Sequence, residues 1–304
     1  MEYRRIGSLN VSVVGLGCNN FGWRTDAAGT AAVVNAALDA GINFFDTADV
    51  YGGGQSEEFI GKALKGRRND VIIATKFGMK TREGKQGARP EYVRQALDAS
   101  LRRLQVESID LYQIHLPDPN TPIADTMQAL NGAVNAGKVR EIGCSNFSAE
   151  QIRAARATPG PRHFASVQND YSLLKRDAEA EVLPECARIG VAFLPYFPLA
   201  NGLLTGKYRT GKTFPDGSRG KDAFGPKVFT PENIERVEAL IAFAESRDHS
   251  LLELAFSWLA AHPEVSSVIA GAKTPEQIRA NSRAASWRLT ARDLAELDGI
   301  LVRS

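Results

Sequence analysis

The feature that most constrains this chain is an alternation. Eight short, apolar, β-prone runs lie at residues 13–17, 43–46, 71–76, 109–115, 141–145, 164–168, 191–196 and 267–271. Most are bounded by turn residues, as strands buried on both faces should be. Helical patterns fill the intervals. Residues 29–40, 123–136 and 177–189 stop at Gly41, Gly137 and Gly190, each a C-terminal stop signal. Residues 56–64 open with Ser56 as an N-cap, followed by two acids that suit the helix dipole. Residues 89–104 carry Pro90 in the first turn, and 148–157 open with a capping box in form. Further helices are expected at 230–247, 251–261, 274–280 and 290–301.

Strict β–α alternation implies a parallel sheet, and eight strands in 304 residues fit closure into a (β/α)8 TIM barrel. A doubly wound sheet fits less well, because Gly15-Leu16-Gly17-Cys18-Asn19-Asn20 lacks the third glycine of a GxGxxG phosphate turn. Residues 2–12 precede the first barrel strand and are expected to form a β-hairpin over the barrel bottom. Residues 1–304 read as one domain. After strand seven comes a long loop, 204–229, rich in Gly, Lys and Pro. It carries Lys207, Arg209, Lys212, Arg219, Lys221 and Lys227 against Asp216 and Asp222. Such a loop is either solvated or a lid that brings positive charge over an anionic ligand.

Composition narrows the function classes. Hydrophobic residues are 43% and charged residues 24%, which excludes a disordered chain. The balance of 37 basic to 35 acidic side chains gives no field for nucleic acid or an anionic membrane. Three cysteines without a CxxC pair and four scattered histidines point away from a disulfide framework and from a metal site. The polar N-terminus does not read as a signal peptide, and no apolar run approaches the ~18 residues of a membrane span. A cytoplasmic protein is expected, and a monomer.

In a barrel the active site is built at the C-terminal ends of the strands. Asp46 ends the second run, with Tyr51 just beyond; Lys76 ends the third and His115 the fourth. Ser145-Asn146, Gln168, Tyr196 and Gly271 end the remainder, and Lys273 and Thr274 follow the last. Any one of these has an ordinary structural account as a cap, a solvated charge or a satisfied core histidine. Together they do not, because independent caps need not all choose one face. The set suits carbonyl reduction by an external hydride donor. Tyrosine titrates near 10, and a buried ammonium such as Lys76 is expected to lower that value. Asp46 can pair with Lys76, and His115 can orient the substrate oxygen.

Over nearly its whole length the chain resembles the aldo-keto reductase superfamily, its bacterial-type members most. The motifs that carry the likeness are G-I-N-F-F-D-T-A-D-V-Y-G at 41–52, Y-Q-I-H-L-P-D-P at 112–119 and G-K-V-R-E-I-G-C-S-N-F-S at 137–148. L-A-N-G-L-L-T-G-K-Y at 199–208 and G-A-K-T-P-E-Q at 271–277 complete it. The resemblance implies NADPH-dependent reduction of aldehydes or ketones, with Asp46, Tyr51, Lys76 and His115 catalytic and Tyr51 the general acid. It implies that Ser145, Asn146 and Gln168 hold the nicotinamide carboxamide and that Tyr196 stacks on the ring. Leu199, Asn201, Gly202 and Leu203 would line the pyrophosphate path, with Lys207 opening a closing loop. Gly271, Lys273, Thr274, Gln277 and Asn281 would hold the adenosine 2′-phosphate and adenine.

Two positions depart from the family pattern: Phe197 stands where a serine is usual and Ala280 where an acid is usual. Lys273 at a helix start favours NADPH, with NADH possible. Phe21 and Trp23 are expected as apolar walls of a pocket for a small carbonyl substrate. Asp118 reads as a turn cap within reach of that pocket. Two other functions share the scaffold. One is NAD(P)-dependent oxidation of a sugar or pyridoxine-like alcohol. The other is a non-catalytic, cofactor-binding regulatory subunit, as in the ion-channel subunits among the family.

Overall fold

The computed structural model describes residues 1–211 and 228–302. Its first two strands, β1 (Tyr3–Ile6) and β2 (Leu9–Ser12), pair antiparallel as the expected hairpin. The remaining eight are β3 (Val14–Gly17), β4 (Phe44–Asp46), β5 (Ile72–Phe77), β6 (Ile109–Ile114), β7 (Val139–Ser145), β8 (Ser166–Asp170), β9 (Ala192–Tyr196) and β10 (Val268–Gly271). They form one parallel sheet in the order β10-β3-β4-β5-β6-β7-β8-β9. A parallel bridge between Phe193 and Val265 closes the seam. The Phe193 amide donates to the Glu264 carbonyl at 2.7 Å, and the Ser266 amide donates to the Phe193 carbonyl at 3.1 Å. The result is a (β/α)8 barrel.

Strand periodicity sets what faces the lumen. Phe44, Ala74, Leu111 and Leu194 face inward with Ile6, Leu9 and Val11 of the hairpin, which plugs the barrel floor. Phe45, Ile73, Tyr112 and Val167 face outward into the larger core under the helices. Two residues further along each inward face come Asp46, Lys76, Gln113 and Tyr196. The lumen is therefore apolar at the bottom and polar near the strand ends. Gly143 on β7 leaves room for this layer, since a Cβ there would collide with Ser166 Oγ and crowd Gln113 Cγ at 3.1 Å.

The helices follow the sequence signals with three corrections. Ser56 is not an N-cap. The helix spans Gln55–Ala63 and is preceded by Gly54, while Ser56 Oγ donates to the Cys18 carbonyl at 2.9 Å. The stretch 177–189 is two elements, a 3-10 turn at Asp177–Glu179 and a helix at Val182–Ile189. Pro184, which has no amide hydrogen, is confined to the first turn of a helix. The helix expected to end at 280 continues over Pro275–Ala284. The capping box at Ser148 forms as expected, and Ser250 and Glu253 make a second one. In the long loop Arg209 pairs with Glu238 at 2.9 Å. Lys212, Arg219, Lys221, Lys227, Asp216 and Asp222 lie outside the described residues. No helix among the described residues is long and apolar enough to cross a membrane.

Candidate active site

The inward polar layer converges on Asp46. Its Oδ2 accepts from Lys76 Nζ at 2.6 Å, and its Oδ1 accepts from Gln168 Nε2 at 2.9 Å and Gln113 Nε2 at 3.2 Å. Lys76 is fully buried and also donates to the Thr47 carbonyl at 2.9 Å. Two of its three donors are thus occupied. Its Nζ lies 5.2 Å from the centre of the Tyr51 ring. Burial acts to lower the Lys76 pKa, but Asp46 and Tyr51 outweigh it and the ammonium is held above its ordinary value.

Tyr51 is presented by a tight turn. Its amide donates to the Ala48 carbonyl at 3.1 Å, with Val50 at φ −87°, ψ −15°, as in a type I turn. Gly52, Gly53 and Gly54 follow with φ of 60°, 70° and 96°. A Cβ on Gly52 would stand 2.8 Å from the Phe21 carbonyl oxygen, so only glycine fits there. Burial raises the Tyr51 phenol above its ordinary value, and the Lys76 ammonium pulls against that without overcoming it. The expected net lowering by lysine is corrected: desolvation wins, and the phenol keeps its proton at neutral pH.

His115 stands edge-on to the Tyr51 ring, centroids 5.8 Å apart. Its Nδ1 is buried with no hydrogen-bond partner among the described residues. Burial first, and the Lys76 charge second, hold its pKa down to about 3, so the imidazole is neutral.

Tyr51, His115 and Asp46 open onto a cavity of about 730 Å³. Its wall takes in Ser145, Asn146, Gln168, Tyr196, Leu199, Asn201, Gly202, Lys207, Gly271, Lys273, Gln277 and Asn281. Several of these hold one another. Tyr196 Oη donates to Asn146 Oδ1 at 2.7 Å, and Asn146 Nδ2 donates to the His115 carbonyl at 3.0 Å. Ser145 Oγ donates to the Gln168 carbonyl at 2.7 Å. At the far end the Lys273 amide donates to Gln277 Oε1 at 2.7 Å, above the helix start capped by Thr274.

Other expected residues fall elsewhere. Lys76 lies behind Asp46 and Tyr51 rather than on the wall. Leu203 is fully buried in the core, and Thr274 serves as the cap. Both substrate-wall expectations are corrected. Phe21 is fully buried in the outer core, and Trp23 is 63% exposed, off the cavity, with the Arg24 guanidinium 4.4 Å from its ring. The wall on that side is made instead by Arg24, Met79, Leu116 and Phe197. Phe197 lies edge-on to Tyr196 and has φ of 51°, unusual for a residue with a side chain. Asp118 caps a turn, accepting from the Ala88 and Asn120 amides. Gln113 was missed because it sits one position inside an apolar run. Its signal is a lone amide in phase with Leu111.

The likeness to known proteins covers nearly the whole chain. The model of the aldo/keto reductase family matches residues 13–302. Aldo-keto reductase YhdN of Bacillus subtilis (strain 168) is 37% identical, over 99% of this chain and 94% of its own. The solved glycerol dehydrogenase AKR11B4 from Gluconobacter oxydans superposes with a TM-score of 0.86 at 34% identity, over 99% of this chain and 95% of its own. An aldo/keto reductase from Klebsiella pneumoniae, solved with NADP and acetate, gives 0.77 at 27% identity, over 96% and 92%. With a family match this long on a barrel of this kind, the chain belongs to the aldo/keto reductase family, oxidoreductases that act on carbonyl and alcohol groups with NAD(P)H.

Proposed function

We propose that this enzyme reduces the carbonyl group of a small aldehyde or ketone, with NADPH as reductant and Tyr51 as general acid. The observation that carries the reading is one buried ammonium, Lys76, held at 2.6 Å by Asp46 and set against the face of a tyrosine that opens onto the main cavity.

The residues present fit a dinucleotide. The cavity is long enough to be bordered by Tyr51 and His115 at one end and by Lys273, Gln277 and Asn281 at the other. Tyr196, half-buried and fixed through its hydroxyl to Asn146, offers a flat face for a nicotinamide ring. Gly202 and Gly271 lie on the wall without side chains to hold off a pyrophosphate. Lys273 stands at a helix start whose amides suit a phosphate, which favours NADPH over NADH. The NADP-bound Klebsiella relative supports the same choice. When bound, the cofactor supplies hydride.

The chain supplies the proton. Tyr51 keeps its proton at neutral pH and donates it from Oη to the carbonyl oxygen as charge develops there. Lys76 then stabilises the phenolate, and Asp46 keeps Lys76 charged in a site where an unpaired ammonium would be costly. His115, being neutral, orients the substrate oxygen by a hydrogen bond without competing as an acid. The same groups serve the reverse direction. The solved relative named a glycerol dehydrogenase makes oxidation of an alcohol the second reading.

The test is reduced-nicotinamide absorbance with a panel of aldehydes, ketones and their alcohols. Tyr51→Phe is expected to lower kcat by about 1000-fold while NADPH binds within about twofold of wild type. Undiminished kcat would reject Tyr51 as the acid. Higher kcat/KM for the alcohols would assign the oxidative direction.

A further inference from the structure

The link between β7 and the helix that follows it is short. The strand ends at Ser145, and Ser148 is already the N-cap of the helix Ala149–Arg156, held there by its capping box. Asn146 and Phe147 must turn the chain between them. Asn146 does so with φ of 63°, a left-handed backbone that asparagine enters at some cost and most other residues avoid. Phe147 is anchored on the other side of the turn, its ring buried and edge-on to Phe164 with centroids 5.7 Å apart.

One side chain braces both flanks of that turn. Asn169 on β8 accepts from the Asn146 amide through Oδ1 at 2.7 Å and donates from Nδ2 to the Phe147 carbonyl at 2.9 Å. The Asn146 amide also reaches the Gln168 carbonyl at 3.0 Å. Asn169 is half-buried and is not part of the cavity wall, whereas Asn146 is. The Asn146 side chain joins two functional elements. Its Oδ1 accepts from Tyr196 Oη at 2.7 Å, while its Nδ2 donates to the His115 carbonyl at 3.0 Å and to Ser145 Oγ at 3.1 Å. The ring offered to a nicotinamide and the backbone of His115 therefore meet in one amide, and Asn169 holds the backbone that carries it.

We propose that Asn169 is a positioning residue for the nicotinamide end of the cavity, fixing Asn146 in its left-handed turn and, through Asn146, Tyr196 and His115. The proposal rests on the reading that the face of Tyr196 takes the nicotinamide. Without Asn169 the turn keeps only the Gln168 contact, and Asn146 can relax toward an ordinary backbone, drawing the Tyr196 hydroxyl with it. On the same reading the adenosine end of the cofactor belongs to other elements, β10 and the helix Pro275–Ala284. The two ends are expected to respond separately.

Calorimetric titration of Asn169→Ala with two probes decides it. One is NADPH. The other is adenosine 2′,5′-bisphosphate, which carries the phosphorylated adenosine and no nicotinamide. The Kd for NADPH is expected to rise about tenfold and that for the bisphosphate to stay within about twofold of wild type. Equal weakening of both would mean a general loss of structure, and no change in either would mean that Asn146 needs no brace; each result overturns the proposal. A double-mutant cycle supplies the second measurement. In an Asn146→Ala background, Asn169→Ala is expected to change the Kd for NADPH by less than about twofold, because it acts through Asn146. The same loss in both backgrounds overturns the proposal. Neither readout needs turnover, so both stand apart from the role of Tyr51 as acid. Tyr196→Ala, titrated with the same probes, tests the reading beneath the proposal. If its Kd for NADPH does not rise, that reading falls and the proposal with it, whereas a rise there with none in Asn169→Ala overturns the proposal alone.

Discussion

Gln168 donates to Asp46 at 2.9 Å across the full width of the barrel, from β8 to the strand lying opposite, β4. Gln113 on β6 donates to the same oxygen at 3.2 Å. The carboxylate is therefore fixed by two neutral amides and one ammonium, and the position of Lys76 beneath Tyr51 depends on all three.

Gln113 separates positioning from binding, because it is fully buried and does not reach the cavity wall, whereas Gln168 does. Gln113→Leu is expected to lower kcat by about tenfold and stability by about 1–2 kcal/mol, leaving the Kd for NADPH within about twofold. Gln168→Leu should weaken both kcat and cofactor affinity. Stopped-flow turnover and cofactor fluorescence titration give the two numbers. A Gln113→Leu enzyme with wild-type kcat would show that Asp46 does not need the second amide.

Lys273 sets a cofactor preference. In Lys273→Met the Kd for NADPH should rise by about tenfold or more, while that for NADH changes little, since only the former carries the 2′-phosphate. Equal weakening of both would remove Lys273 from the phosphate site.

His115 makes the fold sensitive to acid. Its pKa is about 3 in the folded protein against 6.5 ordinarily. Below that ordinary value the unfolded chain takes up a proton that the folded chain refuses, so stability falls as pH drops from about 6.5 towards about 3. The loss is about 1.4 kcal/mol per pH unit, or about 2 kcal/mol at pH ~5. Urea unfolding of wild type and His115→Gln near neutrality and near pH 5 measures it. The variant should lose less stability than wild type by about that amount, and an equal loss in both would show the imidazole to be unperturbed.

Gly52 tests the turn itself. Gly52→Ala combines φ of 60° with a Cβ 2.8 Å from a backbone oxygen, whereas Gly66→Ala at φ 80° meets nothing within 4 Å. The first should cost about 2–4 kcal/mol and reduce kcat, the second about 1 kcal/mol with kcat intact. Urea midpoints and kcat for the pair report the difference. Equal costs would mean that the turn moves freely away from Phe21.

The fold was legible because eight strand-like runs alternate with capped helices, and the parallel sheet leaves no other simple closure. Asp46, Lys76 and His115 were legible because polar residues at strand ends interrupt apolar runs, and Tyr51 because it follows Asp46 within the motif at 41–52. Gln113 was not, since a single amide inside Ile109–Ile114 looks like noise until the lumen face is known. Phe21 and Trp23 were misplaced because side-chain direction in an irregular segment does not follow from spacing. Phe21 turned into the core, and Trp23 turned out to solvent. The titration of Tyr51 was misjudged because charge pairing is visible in a sequence, whereas the depth of desolvation is set by packing from several strands.

The order β10-β3 in the sheet places the last strand beside the first. Arg4 of the hairpin reinforces that junction by donating to the carbonyls of Ala260 and Val265, more than 250 positions later. On a ribosome, β3 and β9 would carry unpaired edges until residues 268–271 emerge, and the floor plug could not lock before then. Contacts so distant in sequence slow folding and leave strand edges open to other chains. A nascent chain of this protein has its greatest need of chaperone cover just before residues 268–271 emerge.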